Sequence, residues 1–243
     1  MLEGLYSAAA GMSAQQQQLD AIGNDLANLS TSGYQSERVA FSDLLYNPVE
    51  EAGTVTTTGA GASSQVIGRN ETEGAIKQTG RPLDLAIEGD GYFQVKLASG
   101  KSALTRDGAL AVDANGSITT AEGDQLVPPI KLPAGVSPNN VQIGGDGTVT
   151  AGTTKLGQIQ LVTVDSPAHL LANGSGQLAP TAESGAPHAA GTAQIHQGQL
   201  EESNVDMGKE MALMITTQRN FQMTSTAIQN ESQMMSIANQ LRT

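Results

Sequence analysis

The sequence predicts an α+β protein: N- and C-terminal helices paired as a coiled coil, with a central antiparallel, mainly β domain. Three observations support this. All nine prolines lie from Pro48 to Pro187, and proline removes a helical hydrogen bond, so both ends can be helical. Both ends also repeat an apolar residue at every seventh position, as helices do along a narrow seam. The middle holds 21 of the 28 glycines and includes alternating apolar and polar residues, which is typical of strands and turns.

The first predicted helix runs from about Leu2 to Leu29, and Gly33 suits the left-handed residue that follows a helix end. Two rows of residues three positions apart run along the helix, and all their members are apolar except Gln15. One row contains Leu5, Met12, Leu19 and Leu26, and the other contains Ala8, Gln15, Ile22 and Leu29. A seam this narrow cannot be buried by itself, so we expect it to pack on the other end of the chain.

The second predicted helix runs from about Asn204 to Leu241. Its unbroken heptad row contains Met207, Met214, Phe221, Ile228 and Met235. Between Ala212 and Gln240 the only charged residues are Arg219 and Glu231. A helix in water normally carries interspersed charge pairs, so this surface is expected to be covered by protein or to line a channel.

Four segments follow from these patterns: 1–46 for the first helix and its end, 47–80 for an extended arm, 81–191 for the β domain and 192–243 for the second helix. The arm is rich in Gly, Thr and Ser and poor in large apolar residues. Such a segment is either a flexible linker or an arm that orders only against neighbouring subunits.

The β domain is predicted from alternation and turn dipeptides. Leu85 and Ile87 alternate with Asp84 and Glu88, so the two carboxylates are expected on a solvated strand face. The dipeptides Asp107-Gly108, Asn115-Gly116 and Asp146-Gly147 each predict a hairpin turn.

Composition excludes several classes of protein. The net charge is −12 and no segment is basic, which argues against nucleic acid or anionic lipid as a partner. No run of about 18 apolar residues exists, so membrane insertion is not expected. The chain has no cysteine and does not open with the pattern of a cleaved signal peptide.

Enzymatic chemistry is not predicted. His169, His188 and His196 lack the spacing of metal ligands, and no nucleophile elbow, phosphate loop or dinucleotide fingerprint is present. We therefore expect no catalytic residue, metal or cofactor. One alternative is a secreted wall-active enzyme or carbohydrate-binding β protein, although the sequence shows no convincing acid/base pair for it. A second alternative is a phage-tail or needle-type tube protein.

Several motifs resemble those of bacterial flagellar rod and hook proteins, in the same order along essentially the whole chain. The N-terminal signature consists of Asn24, Leu26, Ala27, Asn28, Thr31, Gly33 and Tyr34. The segments 81–95 and 104–116 resemble the central blocks of that family, and residues 198–205, 210–211, 218–221 and 238–241 resemble its C-terminal block.

The resemblance implies a structural subunit of the flagellar rod, the drive shaft of the flagellum. Such subunits polymerise into a rigid helical tube that transmits torque and encloses the export channel, with terminal helices inside and β domains outside. It further implies export through the flagellar type III apparatus, a place in the basal body crossing the periplasm, and proximal-rod, hook and ring bushing proteins as partners. In its length and in the position of its arm, the chain most resembles the distal-rod branch of the family. A proximal-rod or hook-like member of the family is the alternative.

Overall fold

The computed structural model describes residues 2–43, 47–51, 54–58, 61–133 and 135–240. It has a helix near each end and a mainly antiparallel β region between them, which confirms the predicted α+β class. The chain divides into two compact units. Unit 1 takes its described residues from 1–27, 37–67 and 206–243, and unit 2 takes them from 28–36 and 68–205. The predicted segment boundaries stay predictions.

Unit 1 contains both long helices, α1 (Leu2–Ala27) and α2 (Met207–Gln240). Helix α2 begins three residues later than predicted because Asp206 caps its N-terminus. The Asp206 carboxylate accepts hydrogen bonds from the backbone N–H of Gly208 at 2.9 Å and of Lys209 at 3.2 Å. The predicted end at Leu241 lies outside the described residues.

Among its described residues, unit 1 also contains the strands β1 (Glu37–Asp43), β2 (Asn47–Glu51) and β3 (Thr54–Thr58) and most of β4 (Ala62–Arg69), whose last two residues belong to unit 2. Strands β2 and β3 pair antiparallel, and β1 pairs with β4. The Ser64 hydroxyl of β4 donates to the Ala14 carbonyl of α1 at 3.2 Å. Where the sequence predicts an arm, the structure therefore has strands, one of which is bonded to α1.

Unit 2 is built from the remaining strands and two short 3-10 turns, Pro138–Asn140 and Pro167–His169. Its strands are β5 (Ile76–Gln78), β6 (Leu85–Glu88), β7 (Tyr92–Lys96), β8 (Ser102–Thr105), β9 (Ala111–Val112), β10 (Ile118–Thr119), β11 (Gln125–Leu126), β12 (Val141–Ile143), β13 (Thr148–Ala151), β14 (Thr154–Gln158), β15 (Leu161–Thr163), β16 (Leu171–Gly174), β17 (Gln177–Ala179), β18 (His188–Ala189), β19 (Gln194–Gln197) and β20 (Gln199–Glu201).

Over the described residues, the largest sheet has nine strands and centres on β7. Strand β8 pairs along one edge of β7, while β15 and β11 share the other edge. A three-stranded sheet (β12-β13-β14) and two ladders (β6 with β19, β5 with β20) complete the unit. Phe93, Val95, Leu85 and Ile87 are fully buried at the centre of its core, so apolar burial holds unit 2 together without tryptophan or disulfides.

Two sequence expectations in this region are wrong. Asp84 is buried, at 1% exposure, and does not lie on a solvated face, although Glu88 is exposed. Asp107-Gly108 does not form a hairpin, since β8 and β9 on either side of it pair with other strands. Gly108 instead packs on the backbone of Leu85, where an added Cβ would lie 1.7 Å from the carbonyl oxygen. The glycine is required there by close approach.

Candidate assembly surfaces and the signature cluster

Helices α1 and α2 contact each other and run in opposite directions. Gly4, at the start of α1, lies against Glu231 near the end of α2, where a Cβ on Gly4 would be 3.5 Å from the carboxylate. At the other end, Asp25 of α1 lies close enough to Glu210, in the first turn of α2, to affect the pKa of that carboxyl. Unit 1 is therefore organised around an antiparallel helix pair.

The structure places most of the predicted seam residues on partly or fully buried positions. In α1, Ile22 is buried, and the half-buried positions are Leu5, Met12, Leu19 and Leu26. Leu29 is half-buried but follows the end of α1 and belongs to unit 2. In α2, the half-buried positions are Met214, Phe221, Ile228 and Met235, whereas Met207 is 53% exposed at the first residue of the helix. Their role in assembly stays a prediction.

A second row on the buried side of α2 is polar and was not predicted from the sequence. It consists of Glu210, Thr217, Thr224 and Glu231, and Thr217 is only 3% exposed. These residues stand three positions after members of the apolar row, where a two-stranded coiled coil usually has leucine. Their spacing of seven residues, three positions after the apolar row, is the pattern from which they could have been predicted.

Burial raises the pKa of the Glu210 carboxyl above its ordinary value, and the nearby Asp25 and Asp206 carboxylates raise it further. The Lys209 ammonium opposes them. Asp25 is itself buried and accepts a hydrogen bond from the backbone N–H of Glu37 at 3.1 Å. Two acidic side chains thus lie near each other inside unit 1, one on each helix, where burial disfavours a second negative charge.

The opposite side of α2 exposes large apolar side chains. They are Met211, Ile215, Met223, Met234 and Ile237, which are between 49% and 63% exposed. At 3.6 residues per turn, these positions fall on the half of the helix away from the buried rows. Here we call them the outer face of α2. It is apolar and nearly uncharged in water, and such patches mark interaction sites.

The N-terminal signature forms the turn that follows α1. The Thr31 backbone N–H donates to the Asn28 carbonyl at 3.0 Å, and its hydroxyl donates to the Asn28 side-chain oxygen at 3.1 Å. Gly33 adopts φ = +65°, and its N–H donates to the Glu201 carbonyl at 2.9 Å. A Cβ at this position would lie 2.5 Å from the Arg106 backbone, so only glycine fits here.

The remaining signature residues flank this turn. Asn24, Leu26 and Ala27 form the last turn of α1, and the Asn24 side chain donates to the Glu37 carboxylate at 3.5 Å. Tyr34 is buried in unit 2, 8% exposed. The motif therefore combines a helix end in unit 1 with a docked turn in unit 2.

A buried ion pair lies beneath the turn. The Arg106 guanidinium donates to the Glu201 carboxylate at 2.8 Å, and both side chains are 3% exposed. Arg106 also donates to the carbonyls of Gly89 and Gly91, and it lies 5.9 Å from the ring centre of Tyr92. The other carboxylate oxygen of Glu201 accepts from the Gly74 N–H at 3.0 Å. We call these groups, together with Gly33, the signature cluster.

The signature cluster brings together all four groups of motifs in the sequence. Gly33 comes from the first block, Tyr92 from the second, Arg106 from the third and Glu201 from the last. Burial raises the pKa of the Tyr92 phenol, while the Arg106 cation and a hydrogen bond from Gln35 oppose the rise. The blocks are therefore adjacent in space because together they build one buried polar centre.

Three family models match the chain: "Flagella basal body rod protein" at residues 5–35, "Flagellar hook protein FlgE/F/G D1 domain" at 86–151 and "Flagellar basal body rod FlgEFG protein C-terminal" at 196–241. The flagellar basal-body rod protein FlgG of Borreliella burgdorferi is 35% identical over 100% of this chain and 99% of its own length. The chain belongs to the flagellar basal-body rod and hook protein family. The FlgG proteins of Buchnera aphidicola and Caulobacter vibrioides are each 34% identical to this chain. Each match covers 99% of this chain and 100% of the relative.

These matches confirm the resemblance, including its distal-rod branch. The chain is a structural rod protein of the flagellar basal body and not an enzyme. Membership of the rod family implies assembly with other flagellar axial proteins. Among the residues that the structure describes, no helix is long and apolar enough to cross a membrane.

The histidines of this rod protein lie apart from the signature cluster. His196 pairs with the exposed Glu88 carboxylate, His188 lies 4.0 Å from Asp165, and His169 is exposed. Within the described ranges, no group of three or more acidic or histidine side chains could hold a metal ion. The expectation that the protein needs no metal or cofactor stays an expectation.

Proposed function

We propose that this rod protein self-assembles into a rigid helical tube that transmits torque and encloses the export channel. The observation that carries the proposal is the outer face of α2. In the tube, α1 and α2 form an antiparallel coiled coil, and the outer face contacts the helices of neighbouring copies. The predicted seam residues then hold each helix pair together, while the outer face joins one pair to the next.

The composition of the outer face supports a second copy of the same chain as the occupant. Its apolar residues alternate with uncharged side chains such as Gln218, Gln222 and Gln229, and Arg219 is the one charge on it within the described helix. Full burial of a methionine or isoleucine stabilises by about 1.5–3 kcal/mol, and these side chains are already about half buried. Five of them then contribute several kcal/mol per contact before the cost of association is subtracted.

The family also supports the finer partners and location. We infer that the tube crosses the periplasm and meets the proximal rod at one end, the hook at the other, and ring bushing proteins on its outside. We further infer export through the flagellar type III apparatus. The absence of cysteine from the chain is compatible with passage as an unfolded polypeptide.

Electron microscopy of the concentrated, purified chain tests self-assembly. The parent chain is expected to form tubes, and the double variant Ile215→Glu/Met223→Glu is expected to stay monomeric because it places two charges on the outer face. Leu171→Glu is the matched control, since it removes a side chain that is 64% exposed on β16 of unit 2. A parent that stays monomeric, or a double variant that polymerises like the parent, contradicts the proposal.

A further inference from the structure

The side-chain amide of Asn204 joins three segments of the chain. Its oxygen accepts from the Ser36 N–H at 2.8 Å. Its nitrogen donates to the carbonyls of Asn70 and Thr72, each at 2.8 Å. The backbone N–H of Asn204 donates to the Tyr34 carbonyl at 3.2 Å, and the Asn70 N–H donates to the Ser36 carbonyl at 2.8 Å. One residue therefore uses both donors and the acceptor of its amide.

The three segments are three of the four along which the chain passes from one unit to the other, and the fourth crossing, between Ala27 and Asn28, is not among them. Unit 2 gives way to unit 1 after Ser36 and after Val205, and the chain re-enters unit 2 at Gly68. Asn204, Ser36 and Asn70 lie within one or two residues of these points. The bonds themselves all lie within unit 2.

We propose that Asn204 is a positioning residue that binds these three crossing segments into one bundle, so that strain applied to one segment is shared by all three. This rests on the proposed function as a torque-bearing tube, because a single crossing segment yields by local rotation about φ and ψ, whereas three hydrogen-bonded segments must move together. Asparagine suits the position, since its amide supplies an acceptor for the segment at Ser36 and two donors for the segment at Asn70 and Thr72.

The variant Asn204→Asp isolates this chemistry. The carboxylate has nearly the same shape and still accepts from Ser36, but it cannot donate to Asn70 and Thr72, and its charge repels their carbonyl oxygens. A protonated Asp regains one donor, so lowering the pH restores part of the bundle. Asn204→Ala has neither the repulsion nor the acid recovery, which makes it the second variant should the aspartate variant fail to fold.

Gln197 offers a matched control. Its amide accepts from the Ile143 N–H at 3.1 Å and donates to the carbonyls of Pro82 and Val141, each at 2.8 Å. Gln197→Glu thus makes the same chemical change inside unit 2, away from the crossing segments. Comparing Gln197→Glu with Asn204→Asp therefore distinguishes a general loss of stability in unit 2 from the loss of the hydrogen bonds that Asn204 makes between the crossing segments.

Amide hydrogen exchange on the full-length monomer tests the proposal, with rates corrected for the intrinsic pH dependence of exchange. At neutral pH, Asn204→Asp is expected to lower protection at residues 34–37 and 69–73 roughly 100-fold, as the loss of two hydrogen bonds and the repulsion of two carbonyl oxygens imply. At about pH 4 the aspartate variant should recover at least tenfold, since its carboxyl takes up a proton. Asn204→Ala should show no such recovery, and Gln197→Glu should lose protection near Pro82 and Val141 but not at residues 34–37 or 69–73.

Equal loss at Ser36 in Asn204→Asp and Gln197→Glu, or no acid recovery in Asn204→Asp, overturns the proposal. These exchange measurements use the monomer, so they test the role of Asn204 even if the parent chain forms no tubes. Where tubes form, those of Asn204→Ala are expected to have at most half the persistence length of parent tubes. Tubes of equal stiffness would show that Asn204 does not position segments that carry strain.

Discussion

Replacing Glu201 with Gln should destabilise unit 2 strongly, although the two side chains have almost the same shape. The Arg106 guanidinium is 3% exposed and loses the charge of its carboxylate partner at 2.8 Å. Breaking one half of a buried ion pair costs about 3–5 kcal/mol, because the remaining charge is left uncompensated. Arg106→Met should cost a similar amount, since it leaves the Glu201 carboxylate buried with the Gly74 N–H as its remaining bond in the cluster.

The double variant Arg106→Met/Glu201→Gln should be more stable than the sum of the single variants implies. It contains no buried charge at this site, and its glutamine can still accept from Gly74. The carbonyls of Gly89 and Gly91 lose their donor, which costs about 1–3 kcal/mol each. We therefore expect a total loss of about 2–6 kcal/mol, against about 6–10 kcal/mol if the single losses added.

Urea unfolding of the full-length chain, followed by circular dichroism, measures these free energies in a double-mutant cycle. Tyrosine fluorescence provides a second probe near Tyr92, because the chain has no tryptophan. The slope of free energy against urea should stay constant if the variants change stability alone. Additive losses, to within about 0.5 kcal/mol, would refute the conclusion that the two side chains act as one buried pair.

Three further predictions concern unit 1. Phe221→Asp should abolish tubes in electron micrographs, because it should destabilise the helix pair by about 2 kcal/mol or more. The melting temperature of unit 2 should not change. Normal tubes would show that Phe221 is not a seam residue. Because the pKa of Glu210 is raised, its protonated form favours the folded state at acid pH, and this contribution is lost as pH rises above the ordinary value of 4.5. In urea titrations from pH 4 to 7, Glu210→Gln should reduce the fall in the free energy of unfolding with rising pH. If the fall is unchanged, other groups cause it. Deleting residues 47–58 should leave tubes that form but bend more, and a persistence length equal to that of the parent would show that the β2–β3 hairpin adds no stiffness.

The fold class could be predicted because proline position and heptad spacing report directly on helices. Alternation likewise located the buried strand that contains Leu85 and Ile87. The strands within residues 47–69 could not be predicted, since a run of Thr, Ser and Gly has no apolar alternation to reveal a strand. Ser64 of this region is bonded to α1, and that contact depends on tertiary structure rather than on local pattern.

The signature cluster was only partly predictable. Gly33 could be assigned to a left-handed turn, but its contact with Arg106 could not, because the two residues are far apart in the chain. Glu201 and Arg106 are 95 residues apart, and neither has a spacing that marks an ion pair. Asp84 was misassigned for a related reason, since an acidic residue between apolar ones resembles a solvated position whether or not it is buried.

The polar row of α2 limits how tightly the two helices can hold each other. Leucine in place of Thr217 or Thr224 would contribute about 1.5–3 kcal/mol of burial at each position, and threonine forgoes most of it. The apolar row therefore defines where the two helices meet, while the polar row makes this contact weaker than a row of leucines would. The two apolar clusters found among the described residues both lie in unit 2, so unit 2, and not the helix pair, contains the main apolar core of the subunit.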